Sequence, residues 1–410
     1  RRSLIVTHQD HRAAVLRYGH CPTEITIYDC RSRRGLTQQL LADRLGRSLS
    51  WLRKVESGAR NADRLSVLDS LCEALNVDLQ TLIGEEPTRS TTLCIDDAQV
   101  EHIRDAMERY PLDGGTGDLG RLRRQVAYAW NAFEMADYDV ISQVLPETLG
   151  NAQSVHAALG TEESARLLAE VYQITASTLR KLGEHALSWL AGDRSMAAAR
   201  QIGDLSLLAA AGFRIANALL SMGRAEPALH MLDGLANRLS VEANDEERRA
   251  LYGHVLLQAA MAAAALGRHS TVRDLISEAR ETAQFVDVGR NHCWLAFGSV
   301  NITAHEVAAL VVLGEGGLAV EAANAADPTA VARMRRERQA AFLVDVARGY
   351  SQWGHREEAI RTLLEAERVA SREVRCRPLA QTLVADLVHR ARGPVPSDLV
   401  RLATRAGVQA

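Results

Sequence analysis

Two hydrophobic rhythms run along this chain. Between residues 36 and 56 the apolar positions come in short bursts at helical spacing: Leu41, Ala42 and Leu45, then Leu52 and Val55. Thr37 and Ser48 stand just ahead of the bursts as capping residues, and Gly46 separates them. This pattern predicts two helices of about nine residues joined by a turn of three or four, the spacing of a helix-turn-helix. From Leu122 onward the bursts lengthen and repeat. "LRKLGEHALSWLA", "LLSMGRAEPALHML", "AAALGRHSTVRDLI", "LVVLGEGGLAVEAA" and "YSQWGHREEAIRTLL" share one grammar: an apolar helix end, a glycine, a few polar residues, then a second helix.

The five glycines, Gly183, Gly223, Gly267, Gly314 and Gly354, lie 40, 44, 47 and 40 residues apart. A tight turn between two helices puts one residue at positive φ, which glycine adopts without a steric penalty. Five residues further on stand Ser188, Ala228, Val272, Ala319 and Ala359, side chains compact enough for close helix approach. A period of this length reads as stacked helical hairpins. With a pair near 122–150, about six repeats and one or two closing helices after Val374 are expected.

Breaks divide the chain. Residues 1–22 lack periodicity and read as a disordered or loosely packed arm. His8, His11, His20, Cys21 and Cys30 within or near it follow no metal-ligand spacing. Residues 23–84 form a run of short helical patterns. The stretch 85–120 reads as a linker with one helix near 96–109, because "GEEPTRSTTLCIDD" and "YPLDGGTGDLG" resist helix. Residues 121–410 carry the repeats. The fold class expected is all-α, a five-helix helix-turn-helix domain followed by a repeat solenoid.

Composition adds limits. The chain has 410 residues, more than one core usually fills. Only 4% of residues are aromatic, so the core must be built from Ala, Leu and Val, which suits helix-on-helix packing. The lopsided usage of arginine, with Lys54 and Lys181 the two lysines, reads as GC-rich coding. Six cysteines without a CxxC pair, and no apolar run near the roughly 18 residues a membrane span needs, fit a reduced cytoplasmic protein. No HExxH, GxSxG or phosphate loop after a strand appears, so no enzyme and no cofactor are expected. "GEGGLAV" reads as a helical turn, and "NHC" at 291–293 as a loop or core fragment.

Charge singles out the first short pair. Residues 31–64 hold nine basic side chains and three acidic ones, within a chain of net charge −3. Such local concentration is what phosphate neutralisation requires. The second helix presents Leu49, Ser50, Arg53, Lys54 and Ser57 outward, flanked by Arg47 and Arg60.

The blocks "GLTQ", "LADRLG", "VESG" and "LSVLDSLCEALNVDLQTLI" make residues 23–84 resemble the DNA-binding domain of the lambda-repressor/Cro-like (Xre) family. The resemblance implies a phosphate contact for Gln38 at a helix N-terminus. It places Leu49, Ser50 and Lys54, just past the cap Ser48, at the base edges of the major groove. It sets Arg47, Arg53, Arg60 and Asn61 near the DNA backbone and pairs Arg31 with Glu56 as a buried structural bridge. Three departures stand out. Leu40 replaces the family's frequent capping Glu, Leu49 puts an apolar group among polar readers, and Trp51 is bulky for its position.

The repeats resemble tetratricopeptide (TPR) repeats with lengthened helices. Combined with an Xre-type head, they are similar to the peptide-sensing regulators of Gram-positive bacteria and to many actinobacterial regulators. This implies a regulator that binds a double-stranded DNA operator as a homodimer, its concave repeat surface sensing a peptide, small-molecule or protein ligand. It would work in the cytoplasm, at the nucleoid when bound to DNA. The inward positions counted back from the turn glycines are Gln173, Ser177, Arg180, Phe213, Asn217, His254, Asn301 and Arg348. The alternative is an interaction scaffold whose repeats hold a protein partner and whose helix-turn-helix is vestigial or a docking module.

Overall fold

The computed structural model describes residues 36–56 with Ile27, Arg31, Val67, Ser70, Leu71, Ala74 and Leu75, and then residues 97–110, 117–241, 245–286, 291–390 and 395–408. The chain divides into two compact units, residues 1–92 and 93–410. Apart from one antiparallel ladder of two-residue strands, the described elements are helices.

In the first unit α1 (Gln38–Arg44) and α2 (Leu49–Glu56) form the short pair. The Thr37 side chain accepts a hydrogen bond from the Leu40 amide and opens α1. The Ser48 hydroxyl does the same for the Trp51 amide at 3.2 Å and opens α2. Each cap satisfies an amide that the helix cannot, a gain of about 1 kcal/mol. Gly46 turns the chain between them at φ +60°. Leu41, Ala42, Leu52 and Val55 bury their side chains against Ile27, Leu36, Leu71 and Leu75, with Leu45 and Trp51 packed at the edge. Ile27, Arg31, Val67, Ser70, Leu71, Ala74 and Leu75 are helical. Arg44 reaches the Ala74 carbonyl at 3.0 Å and ties α1 to that segment.

The second unit opens with α3 (Asp97–Glu108), α4 (Leu119–Glu134), α5 (Tyr138–Leu159), α6 (Glu162–Lys181) and α7 (His185–Ile202). It continues with α8 (Leu205–Ser221), α9 (Ala225–Val241), α10 (Glu246–Ala265) and α11 (His269–Ala283). Next come β1 (Asn291–His292), β2 (Leu295–Ala296), α12 (Ser299–Leu313), α13 (Gly316–Asn324) and α14 (Pro328–Ala332). The last elements are α15 (Arg336–Trp353), α16 (Arg356–Val369), α17 (Ser371–Arg375), α18 (Pro378–His389) and α19 (Ser397–Arg405).

Six pairs turn tightly: α4–α5, α6–α7, α8–α9, α10–α11, α12–α13 and α15–α16. The last five turn on Gly183, Gly223, Gly267, Gly314 and Gly354, all at positive φ, and the first turns on Ala136 at φ 57°. Ser188, Ala228, Val272, Ala319 and Ala359 are all buried where the helices meet. Ser188 also donates to the Ala176 carbonyl on α6 at 2.7 Å, bracing its pair. "GEGGLAV" is the α12–α13 turn, preceded by a helix and not a strand.

One expected boundary moves. The helix at Asp97–Glu108 does not belong to a linker: Val100, Ile103, Ala106 and Met107 are buried in the core of the second unit, and α3 packs on α5. Its amphipathic face is short, so sequence pattern alone did not show where it docks.

The array also returns on itself. The α17 residue Glu373, fully buried, accepts from the Tyr138 hydroxyl (2.6 Å) and from Lys181 (2.6 Å) and pairs with Arg377 (3.0 Å). Lys181 also pairs with Glu337, and Arg372 with Asp139. Burial pushes the Glu337 carboxyl upward, but Lys181 beside it outweighs that effect and holds it at about 2. These ion pairs join the first two helical hairpins to the last and to the helices after it. The concave surface expected of a repeat array is therefore bridged by these pairs around a partly open central cavity, called the chamber below.

Candidate DNA-binding face and central chamber

Beneath α2 lies a polar scaffold. Arg31, 8% exposed, pairs with Glu56 through two contacts, the Nη2–Oε2 one at 3.1 Å, and donates Nη1–H to the Leu36 carbonyl at 2.7 Å. Gln38 donates to the same Glu56 carboxylate at 2.7 Å and accepts from the Arg53 Nε–H at 3.3 Å. Glu56, fixed from two sides, sets how α2 sits on the N-terminus of α1. Sequence resemblance assigned the Arg31–Glu56 bridge; the part Gln38 plays in it, linking Glu56 to Arg53, was not foreseen.

Above that scaffold the predicted contact residues share one surface. Arg47, Ser48, Ser50, Arg53 and Lys54 are exposed, and Leu49 is half-buried on the same helix. Arg47 lies over the Trp51 ring, 5.5 Å from its centroid, while Trp51 packs on the domain core. Trp51 thus holds Arg47 against the helix, a cation–π placement of modest strength at an exposed site. Arg60 and Asn61, expected beside the DNA backbone, lie outside the described residues. A capped helix that projects two cations and small polar groups over a fixed ion pair suits insertion into a major groove.

The second site is the chamber of the repeat unit. It has a volume of about 220 Å³, is partly open to solvent, and is lined by the first helix of each of the six pairs, with Trp294 and Leu295 from the β1–β2 hairpin. Six of the eight predicted groove residues line it: Ser177, Arg180, Phe213, Asn217, His254 and Asn301. Two do not. Gln173 is fully buried in α6 away from the lining. Arg348 is buried and held by Asp345 at 2.8 Å. Gln173 precedes the lining stretch of α6 and Arg348 follows that of α15, a position along the helix that counting back from the turn glycine does not resolve.

Sequence reasoning missed most of the charge. Arg214, Arg335, Arg338 and Arg377, with Glu134, Glu337 and Asp345, also face the chamber. Arg338 donates to the Asn301 amide oxygen at 2.8 Å and reaches the His305 ring at 2.8 Å. The His254 ring lies 4.7 Å from Phe213 and 5.6 Å from His305. The "NHC" fragment becomes the hairpin turn: Cys293 and Trp294 adopt positive φ of 51° and 58°. That turn delivers Trp294 onto Trp130, stacked at 5.2 Å, with its indole N–H toward Glu170 at 3.3 Å. Two consecutive non-glycine residues in the left-handed region are unusual and mark a held loop. Burial pushes the Cys293 thiol up to about 12, which leaves it an inert thiol.

Burial, then the neighbouring cations Arg338 and Arg214, holds His254 neutral far below its usual range, and burial with Arg338 does the same for His305. Both imidazoles stay uncharged when folded but take up a proton when unfolded. Their contribution to stability is therefore full above about pH 6.5 and is lost as pH falls, by about 1.4 kcal/mol per pH unit for each ring. Thermal unfolding at pH 7.5 and 5.5 is expected to show the acid loss, and the double change His254→Asn/His305→Asn should flatten it. An unchanged slope in that variant would assign the acid sensitivity elsewhere.

Comparison with known proteins bears on the first unit. Residues 28–82 match the family model of a helix-turn-helix domain, which covers the capped pair and its scaffold. No curated protein matches the chain. The first unit is accordingly a helix-turn-helix domain of the DNA-binding kind, and the chain is all-helical in its main elements. No helix among the described residues is long and apolar enough to cross a membrane.

Proposed function

We propose that this protein is a sequence-specific transcription regulator of the Xre type. Its TPR-like repeat domain carries the dimer contact and senses a ligand held in the central chamber. The observation that carries this reading is the exposed row of Arg47, in the turn before α2, and Ser50, Arg53 and Lys54 on α2, a helix fixed by the Arg31–Glu56–Gln38 cluster. A single head of this size spans one half-site, so binding as a homodimer to a two-fold operator follows. Ligand occupancy would alter how the last repeats close on the first, and with that the separation of two heads, a rigid-body switch. The protein acts in the cytoplasm without catalysis, and at the nucleoid when bound to its operator. The cavity volume of about 220 Å³ suits a small ligand.

Sequencing the genomic fragments that the full chain retains tests the reading. Retained fragments are expected to share an inverted repeat with half-sites about one helical turn apart, or a multiple of it. Fragments without a common repeat would remove the operator from the account.

A further inference from the structure

The chamber holds more positive charge than its own carboxylates neutralise. Glu373 and Glu337 are taken by Lys181 and Arg377, Asp345 by Arg348, and Glu134 by Arg335. Three lining arginines are left without a carboxylate at ion-pair distance among the described residues. The Arg180 guanidinium makes no hydrogen bond there, Arg338 is met by the neutral Asn301 and His305, and Glu337 and Glu373 act on both only from beyond contact. Arg214, only 4% exposed, has the Ala210 carbonyl of its own helix at 3.3 Å, and its Nε–H finds no acceptor. Glu170 acts on Arg214 only from beyond contact and is turned to the Trp294 indole. The rings of Trp130 and Phe213 lie 5.4 Å and 5.3 Å from the Arg214 guanidinium and give its faces, not its N–H edge, a partner.

We propose that Arg180, Arg214 and Arg338 form a binding site for a small oxyanion, the carboxylate or phosphate of the ligand that the chamber senses. Three guanidinium forks carried on α6, α8 and α15 point their charge into one cavity. Planar N–H pairs of this kind suit the two or three oxygens of a carboxylate or phosphate. The cavity, about 220 Å³, is smaller than the 300–1,000 Å³ typical of drug-sized ligands. A cavity of this volume suits a compact metabolite. Burial of an unpaired cation is unfavourable to the empty protein, and an arriving oxyanion would relieve that cost. Burial lowers the Arg214 guanidinium to about 10, and it stays charged at neutral pH.

This assignment rests on the chamber being the sensory site of the proposed regulator. The test uses the full chain with inorganic phosphate and with succinate as probes, and neutral succinamide as control, at constant ionic strength. Tryptophan fluorescence reports on the stacked Trp130–Trp294 pair, and thermal unfolding gives an independent reading. A saturable response to phosphate, to succinate or to both is expected, and the stronger of the two names the oxyanion; succinamide should give none. Arg214→Met should melt no lower than the parent protein when empty, and bind the probes about tenfold to a hundredfold more weakly. Arg180→Gln should weaken the probes while keeping the fold. An equal response to succinamide overturns the site, as does no response to either anion. So does an Arg214→Met protein that melts lower yet keeps its anion affinity. Operator affinity measured in parallel separates the two readings: a bound anion that leaves it unchanged overturns the sensor role, while the oxyanion site stands.

Discussion

Replacing Glu373 with alanine is expected to cost the repeat unit about 3–5 kcal/mol, the range for removing one partner of a buried ion cluster. Its carboxylate is fully buried and serves three groups at once: the Tyr138 hydroxyl, the Lys181 ammonium and the Arg377 guanidinium. Lys181 is itself 2% exposed, so its charge has no water to fall back on, although Glu337 remains beside it. Burial and the Glu373 charge hold the Tyr138 hydroxyl well above its usual range, which keeps it a donor. Glu373→Gln, which keeps the shape and one acceptor oxygen but not the charge, should fall between parent and alanine. Denaturant unfolding followed by helical signal measures both. A loss below about 1 kcal/mol for alanine would mean that the closure is held by apolar packing instead. Because Tyr138 and Lys181 belong to the first two hairpins, the same change should also open the chamber and weaken whatever binds there.

Arg53→Ala together with Lys54→Ala should abolish operator retention while leaving the helix-turn-helix folded. Both side chains are exposed and neither lies in the Leu41–Leu52–Val55 core. The resemblance sets Arg53 near a phosphate and Lys54 at a base edge. Losing a base contact of this kind costs about 1–3 kcal/mol in each head, and each lost phosphate contact lowers the salt slope by about 1. Titration of an operator duplex at several salt concentrations reads both quantities. Unaltered affinity and slope would show that this face does not meet DNA. Arg31→Ala is the contrasting change: it leaves Glu56 buried without its cation and acts through the fold, not through the contact surface.

The short capped helices could be read directly because every signal in them is local. Thr37, Ser48 and Gly46 act on amides and dihedral angles within a few residues, and Leu41 and Leu52 declare their faces by spacing alone. The hairpins of the second unit were legible for the same reason, through glycines that turn the chain and through small residues five positions later. What stayed hidden involves partners far apart in sequence. Arg214 reads as one more basic residue in an Ala/Leu helix until Trp130 and Phe213 enclose it. The "NHC" fragment reads as a loop or core fragment, and nothing in "NHCWL" announces two successive residues at positive φ that carry Trp294 onto Trp130. Gln173 and Arg348 fall outside the lining because the count from the glycine gives a helix face but not which turns of that helix border the cavity.

The sequence by itself determined the two short capped helices, five glycine turns, the exposed basic face and the spacing of the hairpins, all set by interactions that span a turn of helix. Only the tertiary structure decided that the first hairpins are bridged to the last helices, since that rests on Glu373 meeting Tyr138 and Lys181 some two hundred residues away. It also decided which charges are cancelled and which remain. Desolvation and pairing depend on distance in space, and the same arginine is a solvated surface residue or an unmatched buried cation according to what folds around it.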